Sequence, residues 1–175
     1  MTAKRINTED RNHTITPNYR QVDVMGGYTA AAGSSFIYSA NLPPRLQGKA
    51  LVCEPTMKIV SLMDVQPDGA GWKALDGMNL LASSDEWTSP VYAEVGPDGA
   101  IYFTDWQNPI IGHMQHNLRD PSRDQEHGRV YRVTHEGREL VKPRPIAGES
   151  IDALVNELTS PDDRHRYAAR IELSG

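Results

Sequence analysis

Residues 91–106, VYAEVGPDGAIYFTDW, constrain the fold more than any other part of the chain. Val91, Ala93 and Val95 alternate with Tyr92 and Glu94, so an extended segment here has one apolar face and one polar face. Pro97, Asp98 and Gly99 supply a turn, and Ile101 and Phe103 resume the alternation on the return. A period of two interrupted by Pro-Asp-Gly predicts an antiparallel hairpin. The segments SFIYSA, KALVCE, MKIVSLMDV, MNLLAS and GRVYRVT read as further short strands, with PT and PDGAGW as turns between some of them. In GRVYRVT, Val130 and Arg132 face one way and Tyr131 and Val133 the other. The 14 glycines and 12 prolines fit a chain with many short connections. Strands at this spacing suggest a sandwich, a barrel or a propeller. Two segments share a plan: LQGKALVCEPTMKIVSLMDV, and GPDGAIYFTDW continued by GRVYRVT. Each has a glycine turn, a strand ending in a polar or acidic residue, and another strand, as two successive propeller blades would.

After Thr134 the pattern changes. HEGRELVKPRPIAGES is punctuated by proline and glycine and reads as a linker. Residues 150–175 read as two helices. Ile151, Leu154, Val155 and Leu158 fall on one face of the first. Ser160 is expected as the N-cap of the second, with Pro161 at its first position and Asp162 and Asp163 at the positive end of its dipole. Tyr167, Ala168, Ile171 and Leu173 then make its apolar face, and Arg164, Arg166 and Arg170 a solvated one. The expected organisation is a poorly ordered segment over 1–26, β structure over 27–134, a linker over 135–149 and a helix pair over 150–175.

Composition excludes several classes. The chain is 38% hydrophobic and 23% charged with a formal net charge of -5, which fits a soluble globular protein and gives no reason to expect nucleic acid. No apolar run is long enough to span a bilayer. The N-terminal residues carry no apolar core of a secretory signal, although a truncated reading frame would have lost one. Cys53 is the single cysteine, so neither an internal disulfide nor a CxxCH haem attachment can form within this chain. Its apolar setting predicts a buried, inert thiol.

The strings SSDEWTSPVYAEVGPDGAIYFTDWQNPIIGH and NLRDPSRDQEHGRVYRVTHEGREL resemble the C-terminal part of a bacterial family of membrane-bound or periplasmic dehydrogenase-like proteins. The propeller of that family is similar to the soluble PQQ-dependent glucose/sorbosone dehydrogenases. NLPPRLQGKALVCEP resembles the preceding blade, and ALVNELTSPDDRHRYAARIELSG a first HEAT repeat. The resemblance implies a mainly β chain with an α-helical C-terminus: about two blades of a partial β-propeller, followed by one HEAT-like helix pair. It implies a fragment of a quinone-type sugar or alcohol dehydrogenase, inactive in isolation, in the periplasm or cell envelope. The parent would use PQQ and calcium, and haem c would belong to a missing downstream domain. Its partners would be a small sugar or alcohol and a cytochrome or other protein reached through the HEAT repeats. The alternative is a non-catalytic propeller and HEAT scaffold that binds a polysaccharide or a protein.

The charged loop before GRVYRV carries the candidate chemistry. His113, His116 and His127 with Asp120, Asp124 and Glu126 offer metal-ligand types, but their spacing matches no zinc signature. By resemblance, Arg123, Asp124 and Arg129 are candidates to hold an anionic quinone, because guanidinium groups suit its carboxylates. His127 is the candidate general base for a substrate hydroxyl, and Asp105 a candidate calcium ligand. The competing reading is a loop clamp, in which Arg123 and Asp124 satisfy backbone groups and Gly128 lets the chain enter its strand. Asp85 and Glu86, taken as neighbours on a strand, would point to opposite faces and make a poor catalytic pair. Trp87 and Tyr92 are expected as packing residues.

Overall fold

The computed structural model describes residues 20–21, 31–111, 120–121 and 123–175. His113, His116 and, apart from Arg20 and Gln21, the N-terminal segment 1–26 lie outside these residues. Among the described residues the protein is mainly β, with two helices at the C-terminal end. Strands β2 (Ser34–Phe36), β3 (Ala50–Glu54), β4 (Ile59–Asp68) and β5 (Gly71–Ala82) form an antiparallel sheet in chain order. A second antiparallel sheet has the order β6 (Pro90–Val95), β7 (Ile101–Asp105), β9 (Arg129–Val133). A short parallel pair joins β1 (Arg20–Gln21) to β8 (Ile110–Ile111). No closed barrel is formed by these strands.

The alternation seen in the sequence places the core. Ala93, Val95, Ile101 and Phe103 project from one face of the second sheet and pack on Ile37, Leu51, Cys53, Val60 and Leu62 of the first. Cys53 is fully buried, and its apolar surroundings push the thiol up to about 12, which makes it inert at neutral pH. Strand β6 packs against both β2 and β3, and just before β2 the Gly33 amide donates to the Val91 carbonyl at 2.7 Å. A Cβ at Gly33 would lie 2.7 Å from that carbonyl oxygen, so glycine permits the approach.

The hairpin β4–β5 is longer than the sequence pattern predicts. Its strands extend through QPD and GWKALDG to a reversal at Gly69 and Ala70. This distal half is exposed on both sides, with Trp72 73% exposed, so no apolar alternation marks it. Two register shifts bend β5 across β4. Gly77 sits at one of them, where a Cβ would be 2.5 Å from the Leu62 carbonyl oxygen.

Helix α1 (Ile151–Glu157) is capped by Ser150, whose hydroxyl accepts from the Ala153 amide at 3.3 Å. Helix α2 (Asp163–Ser174) starts later than the sequence suggests. Its N-cap is Asp162, which accepts from the Arg164 amide at 3.0 Å, while Ser160 receives the Asp162 amide one step earlier. A carboxylate nearer the helix displaces the hydroxyl as cap, because it can reach the N2 amide. The helices share a small core of Ile146, Leu154 and Ala169, with Ala168 against it. Of the expected apolar faces only Leu154 and Ala168 are covered; Ile151, Val155, Leu158, Tyr167 and Ile171 are exposed. Residues 135–141 are strapped to the sheets: the Asn41 amide donates to the carbonyls of Arg138 and Glu139, and the Val141 amide to that of Asp98.

Candidate functional site

Four connections converge at one end of the two sheets: the β3–β4 turn with Lys58, the β5–β6 connector 83–89, the end of β7, and the entry to β9. Residue period two puts Asp105 on the same face of β7 as Ile101 and Phe103, so its carboxylate points inward and is buried. Arg129 is its register partner on β9. Asp105 Oδ1 accepts from the Ser89 amide at 2.7 Å and the Gln107 amide at 2.9 Å. Asp105 Oδ2 receives Arg129 Nε at 2.9 Å, with Arg129 Nη2 at 2.8 Å. A carboxylate offers about four lone-pair directions, and all are occupied here. Arg129 reaches further, to Asp85 Oδ2 at 2.5 Å and the Thr88 hydroxyl at 3.4 Å.

Asp85 is not on a strand. It lies in a turn, with its Oδ1 accepting from the Trp87 amide at 2.9 Å, and this turn aims its second oxygen at Arg129. Partial burial acts to raise the Asp85 carboxyl, but the Trp87 amide, Arg129 and Lys58 together hold it below the usual range. Burial likewise acts against the Arg129 charge, and Asp85 and Asp105 more than offset it.

Lys58 completes the cluster. Its side chain is fully buried, and its ammonium donates to the Glu86 carbonyl. Burial lowers its pKa, while Asp85, Glu86 and Asp105 oppose the shift. Lys58 and Gln107 are the two non-glycine residues with positive φ among those described, at 59° and 53°. Both abut this cluster, so left-handed backbone is held here by the hydrogen bonds around it.

The loop residues form a second, exposed group. Asp124 Oδ1 accepts from the amides of Glu126 and His127, each at 3.0 Å, as the clamp reading expects. The same carboxylate lies 3.0 Å from His127 Nδ1. The Glu126 amide acts most strongly on the Asp124 carboxyl, and with the His127 amide and ring it outweighs the opposing effect of desolvation and holds the group below its usual range. The His127 ring is 69% exposed, and Nδ1 is the ring nitrogen turned toward Asp124, which leaves Nε2 on the far side of the ring from that carboxylate. Arg123 stacks its guanidinium 5.4 Å from the Trp106 ring centroid. The structure thus joins Asp105 to Arg129 and Asp124 to His127. Gln107 bridges the pairs, its amide reaching Asp105 and its side chain approaching Asp124 Oδ2 at 3.5 Å. A cleft of about 310 Å³ runs between them, lined by Asp85, Trp87, Gln107, Asp124 and Arg129.

Sequence reasoning missed Lys58, Gln107 and the role of Asp85. The acidic pair in SSDEW is a usable signal when read as a turn, since Asp two residues before an amide is a turn former. Nothing in EPTMK marks Lys58 as buried. Trp87 and Tyr92, expected to pack, are 37% and 44% exposed.

The arrangement is suited to holding loops together. Calcium does not fit at Asp105, whose oxygens are taken by hydrogen-bond donors, and Arg129 is already committed to two carboxylates. Among the described residues no group of three or more His, Cys, Asp or Glu is placed to hold a metal ion. No described helix is long and apolar enough to cross a membrane.

Residues 2–137 match a family described as a domain of unknown function, DUF7133. No curated protein matches the chain. Among solved structures, a proposed oxidoreductase (glucose dehydrogenase) from Thermus thermophilus is similar over 62% of this chain, at 18% identity and a TM-score of 0.41. The chain covers 26% of that protein.

Proposed function

We propose, from the premise that this chain belongs to the DUF7133 family, that it contributes two adjacent blades of a β-propeller and the start of a HEAT-like helical array to a larger protein. The observation that carries this reading is the packing of two consecutive antiparallel sheets through one apolar core, with their first strands β2 and β6 side by side. Successive propeller blades pack in this way. The parent protein is then a quinone-type sugar or alcohol dehydrogenase of the cell envelope, passing electrons to a cytochrome. PQQ and calcium would be held by residues outside this chain, since the donor set at Asp105 and Arg129 is spent. The cofactor would supply the redox chemistry. Within this chain, His127 oriented by Asp124 is the group able to accept a proton from a substrate hydroxyl.

The saturation of Asp105 and Arg129 also favours a second reading, a propeller and helix scaffold without catalysis that binds a polysaccharide or a protein. One experiment separates the two. The complete protein is supplied with PQQ and Ca²⁺, and dye reduction and quinone binding are measured across a panel of sugars and alcohols. Reduction that falls at least about 100-fold in His127→Ala supports the dehydrogenase and the base. Absence of both quinone binding and reduction leaves the scaffold.

A further inference from the structure

The helix pair and the sheets have separate apolar cores that share no residue. What joins them is polar. Arg164 Nε donates to the Val95 carbonyl at 2.8 Å, and Nη2 to Glu94 Oε1 at 3.0 Å. The Asp163 amide approaches the Tyr38 carbonyl at 3.5 Å, and the Arg166 guanidinium lies 5.2 Å from the Tyr38 ring centroid. On either side of Arg164 the seam is open. One groove of about 560 Å³ runs under Pro97 and Pro143, and another of about 560 Å³ runs along Phe36 and Tyr38. Tyr167 stands between them, 57% exposed, with neither core reaching it.

The docked position also carries a cost. Asp162, at the start of α2, is buried, and its Oδ2 has no partner. A buried acceptor without a donor loses hydration that undocking would restore. The connection is short and well defined. Val141 is bonded to the sheet side through Asp98, whereas Arg144 pairs with Glu149 and Glu157 of the helix side. Lys142 and Pro143 alone lie between these anchors.

We propose that the helix pair is a detachable unit, held on the sheets by Arg164 and pivoting at Lys142 and Pro143, so that rising ionic strength releases it and frees the remaining covered surface of Phe36 and Tyr38, which are already 50% and 38% exposed. The Arg164–Glu94 pair is exposed on both sides, which makes it a weak and salt-sensitive tether. The Val95 carbonyl bond would be lost with it, because one guanidinium makes both.

The test uses the full chain with cysteines at two exposed positions, Thr104→Cys on β7 and Asp152→Cys on α1, both spin-labelled. Buried Cys53 stays unlabelled. The inter-label distance distribution is measured at low salt and at about 1 M NaCl, where the screening length is about 3 Å. Release predicts one narrow peak at low salt that loses at least about half its amplitude to longer distances at high salt. Arg164→Ala should show the broad distribution already at low salt, and Glu94→Gln an intermediate one, with unchanged circular dichroism of the sheets. One narrow peak that persists at high salt and in Glu94→Gln would overturn the proposal, even if Arg164→Ala failed to fold.

Discussion

Arg129 and Asp105 face each other across β9 and β7 and share a side-on contact, with Nε at 2.9 Å and Nη2 at 2.8 Å from Oδ2. Because Oδ1 is bound to two backbone amides, this one pair ties β7, β9 and the connector before β6 together. Asp105→Asn keeps the shape but turns one acceptor into a donor facing other donors. Arg129 keeps Asp85, so the expected loss is about 1–3 kcal/mol, the usual cost of leaving a buried hydrogen-bonding group unsatisfied. Urea unfolding of the variant against the parent measures it, and a loss under about 1 kcal/mol would show that the contact is dispensable.

Lys58 poses two opposing effects. Removing its charge relieves the burial of a cation, but it deprives the Glu86 carbonyl of its donor and Asp85 and Asp105 of a nearby positive charge. Both aspartates keep Arg129, so the cost should stay below that of a fully broken pair. Lys58→Met is expected to destabilise by about 1–3 kcal/mol in urea unfolding. A more stable Met variant would mean that cation burial dominates.

Gly77 offers a test of the β4–β5 register. Gly77→Ala forces a Cβ against the Leu62 carbonyl oxygen, a backbone atom that cannot swing away. Overpacking of this kind costs about 1–3 kcal/mol. At Gly71 the nearest atom to an added Cβ would be the Asp68 carbonyl oxygen at 3.8 Å, an ordinary contact. Gly71→Ala should therefore leave the melting temperature nearly unchanged. Equal effects at the two sites would contradict the register.

Acid should weaken the fold through Asp85 and Asp98. Burial acts to raise Asp98, but the Tyr102 hydroxyl, the Ala100 amide and Arg132 outweigh it, so both carboxyls sit below the ordinary aspartate value of 3.8. Folding therefore favours their ionised forms. Their contribution is complete above the unfolded value and is lost as pH falls through the lower folded values. The urea midpoint should hold steady from neutral pH to about 5 and drop below about 4. The double variant Asp85→Asn, Asp98→Asn should flatten that drop; an unchanged slope would place the acid sensitivity elsewhere.

The strands were legible in the sequence wherever one face is buried. Ala93, Val95, Ile101 and Phe103 alternate with polar residues because a half-buried strand must, and the structure puts them in one core. The distal β4–β5 hairpin was not legible as continuous strand, because neither of its faces is buried and no pattern is imposed. The helix pair was visible from its periodicity. Its apolar residues did not say which of them would be covered, since that depends on what docks against each side.

The candidate site divides along the same line. The loop containing Arg123, Asp124 and His127 could be read locally, because Asp124 binds amides two and three residues ahead. That contact needs nothing beyond the local chain. The Lys58, Asp85, Asp105 and Arg129 cluster joins residues from four separate connections, and Arg129 reaches Asp85 across 44 positions of sequence. Sequence alone determined the β pattern, the turn chemistry and the short-range clamp, because these follow from side-chain periodicity and neighbouring backbone groups. Only the tertiary structure decided which charges are buried and paired, because burial and ion pairing depend on distances between strands that packing alone sets.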